Sequence, residues 1–165
     1  MKRNIFLIIV VFLVSLFWFM FPAQLGKHYY QKAFNDMQAK KDPLEIRRLL
    51  KKAKGYNPTY KPIDVALSIS YADEGLVYLE KGNYQQALAL ICKAITACPF
   101  YTTHYVSLGA VYAKLENYEQ AEVAYKMALE MNAVLDQLDK KSYNEWKSYL
   151  AVDEEKVHLK IKELK

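Results

Sequence analysis

An all-α fold is what the 165-residue sequence predicts: a short solenoid of antiparallel helical hairpins behind one N-terminal transmembrane helix. Three observations lead there. The chain repeats itself with a period of 34 residues between positions 68 and 135. An apolar run, interrupted only by Ser15, extends from Ile5 to Phe21. Glycine and proline are scarce, five of each, while Ala, Leu, Lys, Glu and Gln abound, a balance that favours helix over sheet.

The apolar run comes first in the chain. Seventeen helical residues rise about 26 Å, close to the hydrocarbon thickness of a bilayer. Phe17, Trp18, Phe19 and Phe21 crowd its far end, where aromatic rings favour the headgroup boundary, and Pro22 follows. A cleaved signal peptide is the competing reading, but Phe19, Met20, Phe21 and Pro22 offer none of the small residues that precede a cut. No side of the helix is polar, which argues against burial in a soluble core. Residues 1–22 are therefore expected to form a single-pass anchor. Its orientation stays open, because Lys2 and Arg3 pull one way and Lys27, Lys32, Lys40 and Lys41 the other.

The repeat is legible residue by residue. Tyr71, Gly75, Val77, Tyr78, Asn83, Tyr84, Gln86, Ala87 and Ala94 recur 34 positions later as Tyr105, Gly109, Val111, Tyr112, Asn117, Tyr118, Gln120, Ala121 and Ala128. Ile91 matches Tyr125 in the same register. Tyr71, Gly75 and Tyr78 fall on one face of a first helix, which Gly82-Asn83 breaks. A second helix carries Ala87, Ile91 and Ala94 at spacings of three and four. The glycine and alanines let two antiparallel helices approach closely, and the rings fill the gaps beside them. Pro99 cannot continue the second helix and helps to end it.

This order of aromatic, small, aromatic, alanine, aromatic or aliphatic, alanine and closing proline resembles the tetratricopeptide repeat. Residues 68–101 fit it nearly throughout, and residues 102–135 fit except for Ala133 at the usual proline. The resemblance implies a right-handed α-solenoid of helix hairpins. An earlier, degenerate unit is visible at an offset of 41, where Tyr30, Met37, Asp42, Leu50, Ala53 and Pro58 answer Tyr71, Tyr78, Asn83, Ile91, Ala94 and Pro99. Asp42-Pro43-Leu44-Glu45 is a helix start. The seven extra residues are two turns, which lengthen the helix beginning near Pro62 without rotating its face. Phe34 stands where Gly75 and Gly109 stand in the later units. Leu135, Leu138, Tyr143, Trp146, Tyr149 and Leu150 form an apolar stripe suited to a capping helix, and the tail from Asp153 to Lys165 places Val157, Ile161 and Leu164 at helical spacing. The expected organisation is thus an anchor (1–22), a degenerate hairpin (23–60), two repeats within 61–135, and a capping helix with a charged tail (136–165).

By the family's geometry, first helices line a concave groove. On this chain the groove side is expected to carry Ile69, Ala72, Leu76 and Leu79, then Val106, Ala110, Ala113 and Lys114. Repeats that hold the carboxylate terminus of chaperones use lysine, asparagine and arginine there; Ala72 and Leu76 occupy the corresponding places, so that clamp is absent. An apolar groove has two readings. It receives a helix or extended segment of a protein partner, or the capping helix fills it through Trp146 and Tyr149.

Charge and chemistry exclude more than they assign. A net charge of +5 with lysines interleaved among acids lacks the concentrated basic face that nucleic acid requires. Arg47, Arg48, Lys51, Lys52 and Lys54 gather on one helix, either as a solvated convex face or as a contact for anionic lipid. If Cys92 and Cys98 sit on one helix they are about 9 Å apart along it, too far for an unstrained disulfide, and they are expected as small buried or half-buried side chains. His28, His104 and His158 are scattered and expected at the surface, with no partner at metal-ligand spacing. No glycine loop cradles phosphate and no serine sits in a nucleophile elbow. The sequence therefore points to no enzyme, cofactor or metal, but to a membrane-anchored scaffold that assists assembly or recruitment of a membrane-associated protein complex. The alternative is a permanent structural subunit of a large complex, its groove already occupied.

Overall fold

A computed structural model describes residues 2–137 and 151–164, without the side chains of 2–13, 16–20 and 136. Seven helices and no strand are found among the described residues: α1 (Lys2–Gln38), α2 (Pro43–Tyr56), α3 (Lys61–Glu80), α4 (Tyr84–Ala97), α5 (Thr102–Lys114), α6 (Tyr118–Gln137) and α7 (Glu154–Glu163). They divide into two compact units, 1–66 and 67–165.

In the first unit α1 continues through Pro22 rather than stopping there. A proline removes one backbone hydrogen bond, which a long helix can tolerate. The stretch read as a transmembrane anchor thus lies inside α1. Among the described residues, however, no helix is long and apolar enough to cross a membrane, so the structure does not show the expected span. After a turn at 39–42, α2 starts as its sequence dictates, with the Asp42 carboxylate accepting from Leu44 N–H at 3.0 Å and Pro43 in the first turn.

Close packing in this hairpin comes from Gly26 and Ala33, not from the position of Phe34. A Cβ on Gly26 would stand 2.7 Å from Asn57 Cβ and 3.1 Å from the Ala53 carbonyl oxygen. Ala33 is fully buried and Phe34 exposed. The bulky residue turns outward because the interface has room only for small ones. Tyr29 stacks on Tyr56 at 5.7 Å, and Tyr30 meets Tyr60 edge-on at 5.4 Å. Arg47 corrects the expectation of an exposed basic face: it is buried beside Ile46, Leu49 and Leu50, because the apolar side of α2 is broad enough to include it.

The second unit holds the repeats. Seven residues longer than α5 (20 against 13), α3 carries the two additional turns that the sequence offset requires. Its core joins three helices: Ala72 of α3, Ala87, Ile91 and Ala94 of α4, and Val111 of α5, flanked by Tyr71, Tyr78, Leu79 and Leu108. The helix-to-helix turns are built alike. Gly82 has φ +77° and, at the equivalent place, Glu116 has φ +59°. Glycine takes that left-handed backbone freely, whereas glutamate does so at a cost.

Beyond α6 the stripe containing Leu138, Tyr143, Trp146, Tyr149 and Leu150 lies outside the described residues. The tail does form a helix. Asp153 caps α7, its carboxylate accepting from Lys156 N–H at 3.3 Å, and the same contact holds the acid below the usual carboxylate range. Asn132, buried on α6, fastens the start of α7. Its amide donates to the Val152 carbonyl at 2.8 Å and to Glu154 Oε1 at 3.3 Å, while its own oxygen accepts from Val152 N–H at 3.1 Å. With both ends of the amide satisfied, α7 lays Val157, Ile161 and Leu164 onto Ala121 and Tyr125.

Candidate functional site

The helical hairpin of the second repeat is as close as its sequence implies. Gly109 faces the Tyr125 ring so tightly that a Cβ would meet Cε1 at 2.5 Å. In the first repeat the partner of Gly75 is Ile91, whose Cδ1 would be met at 3.0 Å. These contacts fix how α3 and α5 present their remaining faces.

The eight residues assigned to the groove have unlike surroundings. Leu76 and Lys114 are exposed, and Ile69 and Ala110 are half-buried. Ala72 is buried in the core between α3, α4 and α5, and Leu79 packs on that core's margin. Val106 and Ala113 pack against the cluster of Ala121, Tyr125 and Val157 that joins α6 to α7. Of the eight, Leu76 is the one large aliphatic side chain left exposed, at 37%.

One residue escaped the sequence reading. Val77 is 45% exposed, whereas its repeat counterpart Val111 is fully buried against α4. Val111 has α4, the second helix of the preceding repeat, packed beside it. The pairing of Val77 with Val111 in the 34-residue register was the available signal.

His104 is a second correction. Expected at the surface, it is 1% exposed, stacked on Tyr101 at 4.5 Å, and neither ring nitrogen has a hydrogen-bond partner. Desolvation lowers its pKa to about 4. The reason is that α5 is packed on both flanks and buries Thr102, Tyr105 and Ser107 as well. Burial likewise pushes the Tyr101 hydroxyl up. Cys92 is exposed and Cys98 buried, both as free thiols. Among the described residues no three His, Cys, Asp or Glu side chains converge to hold a metal ion.

The tetratricopeptide repeat family model matches residues 69–101 and 105–134. The matched residues fall on the hairpins α3–α4 and α5–α6, and repeats of this kind suggest a protein–protein interaction scaffold. No curated protein matches the chain.

Proposed function

We propose that the two repeats hold an apolar helix or extended segment of a protein partner against α3 and α5. The apolar run 5–21 tethers this scaffold to a membrane, where it assists assembly or recruitment of a membrane-associated complex. The exposure of Leu76 and Val77 carries the binding half of this reading. Two large aliphatic side chains stand in water on the helix that lines the groove, beside half-buried Ile69. Burying an aliphatic side chain of this size contributes about 1.5–3 kcal/mol. The tether half draws on seventeen apolar residues continuous with α1. Confinement near the bilayer raises the effective concentration of the groove toward partners there.

A second reading draws on α7. Val157 of α7 joins Ala121 and Tyr125 of α6 in the cluster on which Val106 and Ala113 pack, so the chain's own tail reaches the second repeat, as suits a permanent structural subunit with its groove already occupied. Photo-crosslinking from position 76, with position 110 as a second probe, separates the two. An adduct to another protein, reproduced at both positions and lost on Val77→Asp, supports the scaffold. Adducts confined to the chain's own C-terminal residues favour the filled groove. Absence of any adduct refutes partner binding at this face.

A further inference from the structure

Where α1 leaves the apolar run, its packing against α2 gathers basic and aromatic side chains that the sequence keeps apart. At 1.5 Å per residue, Lys27 stands about 9 Å and Tyr29 about 12 Å past Phe21. Since α2 returns antiparallel, with Ala53 and Asn57 opposite Gly26 and Tyr56 stacked on Tyr29, its C-terminal half lies at this same level. Lys52 Nζ stands 5.6 Å from the centre of the Tyr29 ring, and its neighbour Lys51 is exposed. The carboxylates of the hairpin lie elsewhere. Asp36, Asp42 and Glu45 cluster about the turn at the opposite end, and Asp64 is bound by Lys54. Among the described residues no carboxylate pairs with Lys27, Lys51 or Lys52.

Basic charge together with amphipathic rings is the composition that membrane interfaces select. The distances fit as well. A bilayer is about 30 Å of hydrocarbon within about 40–45 Å overall, leaving a headgroup layer several ångströms thick on each side. Surface potential then decays over a Debye length of about 8 Å. Lysines about 9–12 Å beyond an apolar run fall inside that reach, and their flexible stems extend toward it.

We infer that this end of the α1–α2 hairpin, formed by Lys27, Lys51 and Lys52 with Tyr29 and Tyr56, docks on the anionic headgroups of a lipid bilayer. The inference rests on the tether reading of 5–21 and makes it specific for lipid charge. It also moves the basic site from where sequence placed it. Arg47 is buried, and Arg48 stands about 6 Å farther from the apolar run than Lys52.

The test uses the full chain mixed with phosphatidylcholine vesicles and with vesicles that also contain phosphatidylserine. Flotation reports membrane attachment. Mass spectrometry reports the acetylation rate of each lysine by a water-soluble reagent. The expected result is flotation with both vesicles, and acetylation of Lys27, Lys51 and Lys52 about five-fold slower on the anionic ones. Exposed Lys81 and Lys93 keep their rates, and high salt removes the difference. Flotation with equal rates on the two vesicles overturns the docking and leaves the tether standing. Flotation with anionic vesicles alone, with the same protection, supports the docking and overturns the tether. Failure to float with either overturns both. Equal protection by inorganic phosphate on neutral vesicles overturns the assignment to lipid.

Discussion

Replacing Gly109 by alanine sets a methyl carbon 2.5, 2.6 and 2.8 Å from three atoms of the Tyr125 ring. Carbon atoms pack at about 3.5–4.0 Å, so the overlap is roughly 1 Å. The ring is rigid and 3% exposed, and it cannot move aside without parting α5 from α6. Overpacking of this kind costs about 1–3 kcal/mol, against which the better helix propensity of alanine returns at most about 1 kcal/mol. The same change at Gly75 meets the terminal carbon of Ile91 at 3.0 Å, a contact that a small rotamer adjustment relieves. Gly109→Ala is therefore expected to destabilise by about 1–2 kcal/mol and Gly75→Ala to be near neutral. Urea denaturation of the full chain followed by far-UV circular dichroism measures both. The double mutant Gly109→Ala/Tyr125→Ile sets the new methyl against the residue type that faces Gly75 in the first repeat. It should recover part of the loss, giving a coupling energy of about 1 kcal/mol. A Gly109→Ala variant as stable as the parent, or a cycle without coupling, refutes the claim that this close approach governs the hairpin.

Three further expectations follow from single residues. Because the folded-state pKa of His104 is lowered to about 4 from 6.5, the unfolded chain takes up the proton first. Stability is then fully present above pH 6.5 and falls toward pH 4, by up to about 3 kcal/mol. His104→Leu should flatten that slope in thermal melts, and an unchanged slope would assign acid sensitivity elsewhere. Asn132→Ala leaves the Val152 N–H and C=O without their partner at a cost of about 2–3 kcal/mol. Hydrogen exchange should quicken across α7 while α4 and α5 keep their protection. Glu116→Gly relieves a left-handed φ of 59° and should raise the melting temperature by about 2–4 °C, whereas Gly82→Ala should lower it by a similar amount. Identical melts for Glu116→Gly and the parent would show that this turn holds no strain.

Most of the helical scaffold was written locally. A fixed interval of 34 residues placed Gly75 over Ile91 and Gly109 over Tyr125, where neither glycine has room for a Cβ without a neighbour giving way. The offset of 41 gave α3 its additional length, and Asp42-Pro43 and Asp153 marked helix starts. The candidate groove was less legible. Periodicity put Leu76, Ala72 and Val106 on one face of their helices, yet one is exposed, one is core and one packs on the cluster of Ala121, Tyr125 and Val157.

What the sequence determines by itself, then, is which residues are helical, where helices stop and which small residues permit close approach. These are short-range consequences of backbone sterics, capping and 3.6-residue periodicity. Only the tertiary structure decides how many neighbours cover a given face. Val111 is sealed while Val77 stays wet, His104 and Arg47 lose their water, and Lys52 meets the Tyr29 ring across two helices. Burial and electrostatic environment depend on atoms distant in the chain, and a pattern read along one helix holds no information about what packs on its other side.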